Sequence, residues 1–275
     1  MTDLLNRQPP VADLRVPYGP GEFQFGDLWM PVLKAGVRAP LIIFLHGGWW
    51  KAAYGLGYGG HFCADLKAHG VAVWSLEYRR VGNPGGGWPG TFEDVAAGFD
   101  FVAALAKTHL IDLSRIVVAG HSAGGHLAFW LAGRPHIPGS SVLRNPQPYL
   151  PIRGVVGLAG AVDLELTITL ADGAFAHDRA EVENLMGGSP DQFPERYVAG
   201  DPGALRPLNV PQFLIQGTAD DQIPAELPAR WAQRGLDQQE SVQVTMLGGA
   251  DHFDVVDPES SAWPVVRSVL LKALG

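Results

Sequence analysis

The stretch IVVAGHSAGGHLAFWLA, residues 116–132, decides the fold of this chain. The apolar run Ile116–Ala119 predicts a buried strand, and the apolar pattern from Ala123 to Ala132 predicts a helix. Between them lies Gly120-His121-Ser122-Ala123-Gly124, a G-x-S-x-G motif. A serine on so tight a turn has a strained backbone and an exposed hydroxyl, and the two glycines let neighbouring backbone approach without a Cβ clash. We therefore predict that Ser122 is a nucleophile.

The rest of the chain repeats this alternation of strand and helix. Further apolar runs predict buried strands at Leu41–Leu45, Val71–Leu76, Gly154–Leu158, Gln212–Ile215 and Val242–Leu247. Helical patterns lie between them, at about Gly60–His69, Thr91–Lys107, Ala225–Arg234 and Ser261–Ala273. Upstream, Glu22–Met30 has the alternation of an antiparallel hairpin. The expected fold class is α/β: a doubly wound, mostly parallel sheet with helices on both faces and an antiparallel hairpin before it.

One segment interrupts the alternation without suggesting a second domain. Residues 164–208 contain no clear strand and many turn signals, so we expect an insertion of short helices and loops in a single domain covering 1–275. This insertion is interpreted either as a small cap over a binding site or as a surface excursion. The glycine-rich stretch 82–90 also has two interpretations, as a lid or as a rigid turn.

Charge and composition exclude several classes of protein. The net charge is −8, and no basic run exceeds the pair Arg79-Arg80, which argues against nucleic-acid binding. The longest stretch without a charged residue has 18 residues and contains GHSAGGH, a poor membrane span. No signal peptide is evident, and the single Cys63 cannot form an intramolecular disulfide. We expect a cytoplasmic protein that binds neither nucleic acid nor membrane.

A base and an acid for the serine can be found downstream. A serine hydroxyl needs a histidine base, which in turn needs an orienting carboxylate, and in doubly wound hydrolases these follow in the order serine, acid, histidine. The segment GTADDQIP offers Asp220 and Asp221 after one strand, and GADHFD offers His252 after the last strand. Both segments follow carboxyl ends of strands, where ligands bind in such sheets. We predict His252 as the base and one of the two aspartates as the acid.

The turn after the strand Leu41–Leu45 supplies the third element. It reads His46-Gly47-Gly48-Trp49-Trp50, and glycines there allow backbone N–H groups to converge on one point. A tetrahedral oxyanion needs two or three such donors. We predict an oxyanion hole made from the amides of Gly48 and Ala123, together with Gly47 or Trp49.

These motifs together resemble the α/β-hydrolases over essentially the whole chain. HGGWW is similar to the H-G-G-x-W loop of kynurenine formamidases (arylformamidases) and related small carboxylesterases, and His252-Phe253-Asp254 resembles the H-F-D segment around the formamidase histidine. GHSAGGH fits both formamidases and bacterial carboxylesterases. In the family pattern D-x-x-[VI]-P the acid is the first aspartate of GTADDQIP. The resemblance thus implies that Asp220, rather than Asp221, completes the triad.

The resemblance also implies an activity. It predicts a serine hydrolase that cleaves an ester or formamide bond of a small, aromatic substrate through an acyl-enzyme, as kynurenine formamidase does. A general carboxylesterase or feruloyl-esterase-like enzyme on short-chain or aryl esters is the alternative. A non-catalytic, ligand-binding relative is the alternative from another class. No cofactor or metal is expected, and the sequence is compatible with a homodimer without fixing the oligomeric state.

Aromatic residues are concentrated in the loops on the same edge of the sheet. Four of them are candidates for substrate binding, because stacking on their rings would favour aryl or acyl-aromatic groups: Trp50, Tyr54, Trp88 and Phe253. Packing in the core or under a lid is the other interpretation of the same residues.

The segment Gly55-Leu-Gly-Tyr58-Gly-Gly60 matches the G-x-G-x-x-G pattern of dinucleotide-binding proteins. In that pattern the first glycine comes where the strand ends, whereas Gly55 comes ten residues after Leu45. His121 and His126 lack the spacing of a zinc-binding H-E-x-x-H motif. The sequence therefore disfavours a nicotinamide oxidoreductase and a zinc hydrolase.

Overall fold

A computed structural model describes residues 4–146 and 148–275, and its centre is one eight-stranded sheet. The strands are β1 (Leu14–Pro17), β2 (Phe25–Trp29), β3 (Ala39–Leu45), β4 (Ala72–Leu76), β5 (Ile111–His121), β6 (Gly154–Leu158), β7 (Gln212–Gly217) and β8 (Val242–Leu247). Their order across the sheet is β1-β2-β4-β3-β5-β6-β7-β8. The pairs β1–β2 and β2–β4 are antiparallel and all the others are parallel. The predicted fold class is confirmed, including the antiparallel hairpin.

Helices cover both faces of this sheet. They are α1 (Gly60–Ala68), α2 (Gly90–Asp100), α3 (Val102–Thr108), α4 (Ala123–Gly133), α5 (Leu164–Thr169), α6 (Asp178–Met186), α7 (Pro194–Gly200), α8 (Leu227–Asp237) and α9 (Trp263–Leu274). The helix predicted over residues 91–107 is divided into α2 and α3 at Phe101. None of the helices among the described residues is both long and apolar enough to cross a bilayer.

The hydrophobic core has two parts because successive strand residues point to opposite faces. In β3, Leu41 and Ile43 belong to the core part that includes α2, α3, α4 and α8. Ile42 and Phe44 belong to the other part, with side chains from α1 and α9. All four are fully buried, so β3 is apolar on both faces.

The segment 164–208 contains short helices and no strand among its described residues. α5 packs against α6 and α8, and α6 packs against α7. Asp163 caps α5 by accepting a hydrogen bond from the amide of Leu166 at 2.7 Å. Whether this segment acts as a cap stays a prediction.

The parallel strands bring the predicted motifs to one edge of the sheet. β3 and β5 are paired so that Leu45 lies beside Gly120, directly before the HGGWW loop and the serine turn. β7 and β8 end side by side, with Gly217 paired to Leu247. The GTADD and GADHF segments follow these two residues in the sequence. The loops that carry Gly48, Ser122, Asp220 and His252 therefore meet at the carboxyl edge.

Candidate active site

Ser122 lies on a strained turn between β5 and α4. Its backbone has φ 55° and ψ −124°, outside the regions that residues other than glycine usually adopt. Such a conformation costs on the order of 1–3 kcal/mol, and the surroundings must hold it. The amide of Ser122 donates to the carbonyl of Leu158 at 2.9 Å, and its own carbonyl accepts from Ala161 at 3.1 Å. The neighbouring strand β6 and the loop after it thus hold the serine in place.

The glycines of the G-x-S-x-G motif are required by close backbone packing. A Cβ on Gly120 would lie 2.0 Å from the carbonyl oxygen of Gly124, on the far side of the turn. A Cβ on Gly124 would lie 2.1 Å from the carbonyl oxygen of Leu45. No side chain fits at either position, so the motif allows the turn to close and α4 to approach the end of β3.

Asp220 and His252 form a hydrogen-bonded pair. The ring nitrogen Nδ1 of His252 lies 3.0 Å from Oδ1 and 2.9 Å from Oδ2 of Asp220. Both residues are at least nine-tenths buried. Asp221 instead points to solvent, where its carboxylate accepts from the side-chain amide of Gln222 at 3.1 Å. Of the two candidate acids, Asp220 is the one that contacts the histidine.

Asp220 is held as an ionised carboxylate. Burial alone would raise its pKa, but the hydrogen bond and charge of His252 and the amides of Gln222 and Ile223 outweigh burial, so the pKa lies below its ordinary value. The two amides donate to Oδ1 at 2.8 and 2.9 Å, and the side chain of Gln216 donates to Oδ2 at 2.7 Å. An ionised Asp220 requires the proton of His252 to be on Nδ1, which leaves Nε2 free to accept one.

Ser122 and His252 line the same cavity, whose volume is about 250 Å³. Its remaining walls come from loops at the carboxyl edge and from the first described residues of the chain: Leu5, Gly48, Trp49, Tyr54, Tyr58, His121, Gln222 and Phe253. None of these residues belongs to the segments 82–90 or 164–208. Neither candidate lid therefore forms a wall of this cavity among the described residues.

The loop after β3 presents free backbone donors next to Ser122. Gly48 has φ 109° and Trp49 has φ 52°, and among the residues that the structure describes neither amide donates to an acceptor. Ala123 is the first residue of α4, so its N–H has no partner within that helix. These amides have the character that an oxyanion hole requires.

Gly47 differs from the other candidate donors. Its N–H donates to the hydroxyl Oη of Tyr58 at 2.6 Å, so it is already engaged. A Cβ on Gly47 would lie 2.7 Å from Cβ of Ser122, so a glycine is needed for close packing against the serine. The prediction of Gly47 as an oxyanion donor does not fit the structure, whereas Gly48, Trp49 and Ala123 keep that role as a prediction.

Buried polar and charged side chains pack against the loop after β3, which carries the predicted oxyanion donors. The imidazole of His46 lies 2.9 Å from Glu77 through Nε2, and its ring stacks on Tyr78 with centroids 4.4 Å apart. The hydroxyl of Tyr78 donates to the carbonyl of His46 at 2.6 Å. Burial would raise the pKa of Glu77, but the charge and hydrogen bond of His46 and the charge of Arg80 outweigh it and lower that pKa. This buried ionic cluster fixes the position of the residue before Gly47.

The predicted substrate-binding aromatics fall into two groups. Tyr54 and Phe253 line the cavity, as does Trp49. Trp50 is fully buried, with its ring edge-on to the ring of His126 at 5.3 Å, and Trp88 packs against Phe92. Neither residue is a wall of the cavity, because Trp50 is packed in the interior and the partly buried Trp88 packs on Phe92 of α2. The alternative interpretation of these two residues as packing residues fits the structure.

Four cavity residues lie outside the set of site residues predicted from the sequence: Leu5, Tyr58, His121 and Gln222. Tyr58 belongs to the discounted G-x-G-x-x-G segment, and His121 is the variable position before the serine. For these two residues, the available signal was a polar or aromatic side chain inside a glycine-rich motif. No sequence pattern marks Leu5, because its position at the site depends on a contact between Arg7 and Asp257, which are 250 residues apart in the chain.

The class of protein follows from the order of the sheet and from the position of the serine turn on an interior strand. A mostly parallel eight-stranded sheet with this turn after β5 and an acid–histidine pair after β7 and β8 defines an α/β-hydrolase fold. A family model described as BD-FAE matches residues 27–233, about three quarters of the chain. The chain belongs to the BD-FAE family.

Two relatives match the chain over most of its length. Esterase LipC of Mycobacterium tuberculosis is 29% identical over 266 residues, which are 91% of this chain and 64% of LipC. The kynurenine formamidase of Salmo salar is 29% identical over 284 residues, with 95% of this chain and 82% of the relative covered. The chain covers 64% of the length of LipC, and 47% and 52% of two plant relatives. It therefore spans about half to two thirds of these proteins.

A solved structure shows the same fold at low sequence identity. Esterase B from Lactobacillus rhamnosis superposes with a TM-score of 0.80 and 18% identity, covering 97% of this chain and 87% of the other. At this identity the likeness establishes the shared architecture.

Proposed function

We propose that this protein is a serine hydrolase of the carboxylesterase type, acting on short-chain or aryl esters through Ser122, His252 and Asp220. The observation that carries the proposal is that Ser122, on its strained turn, and His252, paired with Asp220, line one cavity. The esterases among the relatives support the same activity.

The first step is the attack of Ser122 on the ester carbonyl. Nε2 of His252 takes the hydroxyl proton as the serine oxygen bonds to the carbonyl carbon. Asp220, kept ionised by its four hydrogen-bond donors, holds the imidazole by Nδ1 and stabilises its positive charge. The negative charge that develops on the carbonyl oxygen is accepted by the amides of Gly48, Ala123 and Trp49.

The second step releases the two products. His252 returns the proton to the leaving alcohol or amine, and the acyl group stays on Ser122 as an ester. Water then attacks the acyl carbon while His252 accepts its proton. The bond between this carbon and the oxygen of Ser122 breaks, the acid is released, and His252 returns the proton to Ser122. The imidazole of His252 carries all of these protons, while the carboxylate and the backbone amides stabilise charge, so the proposed reaction uses no metal or organic cofactor.

The cavity restricts the substrate to a small group. Its volume of about 250 Å³ is below the roughly 300–1,000 Å³ of drug-sized ligand pockets. The rings of Trp49, Tyr54 and Phe253 provide apolar walls. Flat or short acyl and aryl groups fit these walls best, because offset and edge-on ring contacts stabilise aromatic ligands.

Formamide hydrolysis is the second candidate. The similarity to the kynurenine formamidase of Salmo salar favours this candidate, because the chain covers 82% of that protein but only 64% of LipC. A formyl group is the smallest acyl group and would fit beside Ser122, with the aryl part of the substrate against Trp49 and Phe253. The chemistry of the serine, the histidine and the oxyanion donors would be the same.

A substrate panel tests the proposal and separates the two candidates. The panel contains p-nitrophenyl acetate, butyrate and octanoate, an aryl ester such as p-nitrophenyl benzoate, and N-formyl-kynurenine. We expect turnover of the short-chain and aryl esters, lost by a factor of about 10³ or more in Ser122→Ala. Formamide turnover that exceeds ester turnover would favour the second candidate, and ester turnover unchanged in Ser122→Ala would end the proposal.

A further inference from the structure

Three separate loops supply the proposed nucleophile Ser122, the proposed base His252 and the proposed oxyanion donor Gly48. They are the loop after β3 with Gly47 and Gly48, the turn after β5 with Ser122, and the loop after β8 with His252. Catalysis needs these groups aligned to within a fraction of an ångström. Two side chains, Tyr58 and His121, make hydrogen bonds that link all three loops.

The directions of these hydrogen bonds follow from what each atom can do. Nε2 of His121 lies 3.0 Å from the backbone carbonyl of His252, which can only accept, so Nε2 carries the hydrogen. In a neutral imidazole Nδ1 then accepts, and it lies 2.8 Å from the hydroxyl of Tyr58, which donates. The same hydroxyl accepts from the N–H of Gly47 at 2.6 Å. The chain of bonds runs from Gly47 through Tyr58 and His121 to His252.

Burial keeps both side chains neutral. Burial, and then the charge of His252, lowers the pKa of His121 to about 3. Burial raises the pKa of Tyr58 above its ordinary value. Near neutral pH neither group therefore changes its charge, and the directions of the hydrogen bonds stay fixed. Neither side chain is required to exchange a proton with the substrate.

The glycine-rich segment Gly55–Gly60 places Tyr58 against the oxyanion loop. A Cβ on Gly55 would lie 2.8 Å from Oε2 of Glu77, and a Cβ on Gly59 would lie 2.5 Å from the ring of Phe44. The segment that resembles a dinucleotide fingerprint is therefore rich in glycine because it packs closely on β3 and on the buried cluster around Glu77. This close packing determines where the hydroxyl of Tyr58 lies.

We propose that Tyr58 and His121 form a brace that holds the oxyanion loop, the serine turn and the histidine loop in register. The proposal rests on the proposed serine hydrolase and adds two positioning residues to it. Tyr58 holds the amide of Gly47, and thereby the neighbouring donor Gly48. His121 precedes Ser122 in the chain and holds the backbone of His252, so it fixes the nucleophile relative to the base.

The variant Tyr58→Phe tests the brace by removing only the hydroxyl. We expect kcat to fall by about tenfold or more, because loops shifted by less than 1 Å misalign the donors, while KM changes by less than about twofold. Tyr197→Phe is the matched control, since its hydroxyl also makes a hydrogen bond with the backbone, donating to the carbonyl of Gly188 at 2.9 Å, and its ring is buried in α7. We expect that variant to keep both constants within about twofold. Equal effects of the two substitutions would overturn the proposal.

A second measurement is independent of turnover. Nitrogen-15 NMR of the imidazoles in the unaltered protein should show His121 as the Nε2–H tautomer, without titration between about pH 5 and pH 9. In Tyr58→Phe the Nδ1 resonance should move to the position of a nitrogen that accepts no hydrogen bond. A proton on Nδ1 in the unaltered protein would overturn the brace, even if Tyr58→Phe fails to fold.

The two readouts separate this proposal from the proposed function. Turnover in the unaltered protein, lost in Ser122→Ala and unchanged in Tyr58→Phe, would leave the hydrolase standing and remove the brace. An unaltered protein without turnover of any ester or formamide would contradict the proposed function. The tautomer of His121 would then still decide whether the hydrogen bonds exist.

Discussion

Asp220 and Asp221 are neighbours in sequence with different surroundings. Asp220 is buried and accepts hydrogen bonds from His252, Gln216 and two backbone amides. Asp221 is exposed to solvent. A carboxylate in the first environment can orient an imidazole, whereas one in the second is screened by water.

We expect Asp220→Asn to lower kcat for an aryl ester by a factor of about 10³–10⁴, because an amide favours the wrong tautomer of His252. Asp221→Asn is the matched control with the same change of charge, and it should stay within about threefold of the parent. Steady-state kinetics on both variants is the measurement. A larger loss in the second variant would assign the acid to Asp221.

At the scale of elements, the serine turn depends on the close contact between β5 and α4. The carbonyl oxygen of Gly124 occupies the space that a side chain on Gly120 would need. The conflict is with backbone, which cannot move aside as a flexible side chain can.

Gly120→Ala should therefore lower the free energy of unfolding by about 3 kcal/mol or more. Gly139→Ala is the control, because a Cβ on Gly139 meets nothing within 4 Å and its backbone has no positive φ. We expect the control to lie within about 0.5 kcal/mol of the parent in urea denaturation. Equal stability of the two variants would contradict the close packing of the turn.

Asp178, the first residue of helix α6, has a buried carboxyl group. Asp178 is fully buried, and neither carboxylate oxygen accepts a hydrogen bond from the described residues, although Nε2 of His177 lies 3.3 Å from Oδ1. Burial, and then the charge of Glu181, raises the pKa of Asp178 to about 7. The folded protein thus retains a proton there that the unfolded chain releases near pH 4. From about pH 4 to pH 7, this group makes the folded state less stable as the pH rises.

Asp178→Asn should stabilise the protein at pH 8 by on the order of 1–3 kcal/mol, and by much less at pH 4.5, because the amide needs no proton to be neutral. Thermal unfolding at the two pH values is the measurement. Asp172→Asn, an exposed position in the same segment, changes the net charge equally and should shift neither value. Destabilisation by Asp178→Asn at pH 8 would show that the carboxylate has a favourable partner.

At the scale of the whole molecule, contacts between distant parts of the chain hold its first described residues in place. Leu4 is fully buried in the core part that contains α1 and α9, and Arg7 forms ion pairs with Asp257 and Glu259. Leu5, between these two anchors, lines the cavity next to Ser122. The first described residues are therefore fixed across the site as one of its walls.

Leu5→Ala should widen the cavity and change the preference for chain length. We expect the ratio of kcat/KM for p-nitrophenyl octanoate to that for acetate to rise by about 3- to 10-fold. Val32→Ala, at a fully exposed position away from the cavity, should leave the ratio unchanged. A ratio unaffected by Leu5→Ala would mean that this wall does not limit the substrate.

Most of the sheet could be predicted from the sequence because its signals are local. The apolar run Leu41–Leu45 and the G-x-S-x-G turn are each contained in a few residues, and the alternation of strands with helices predicts a mostly parallel sheet. The wall formed by Leu5 and the hydrogen bond from Gly47 to Tyr58 depend on residues distant in sequence or on atomic packing. The burial of Trp50 likewise depends on tertiary packing that no local pattern records.

Ser122 is the proposed nucleophile, and the claim that it reacts with the substrate underlies every other prediction. Intact-mass spectrometry after treatment with a fluorophosphonate ester tests it most directly, because the reagent bonds to an activated serine oxygen and displaces fluoride. We predict one adduct on the unaltered protein, located on Ser122 by peptide mapping, and none on Ser122→Ala. An adduct on another residue, or an unmodified protein after full exposure to the reagent, would contradict the claim.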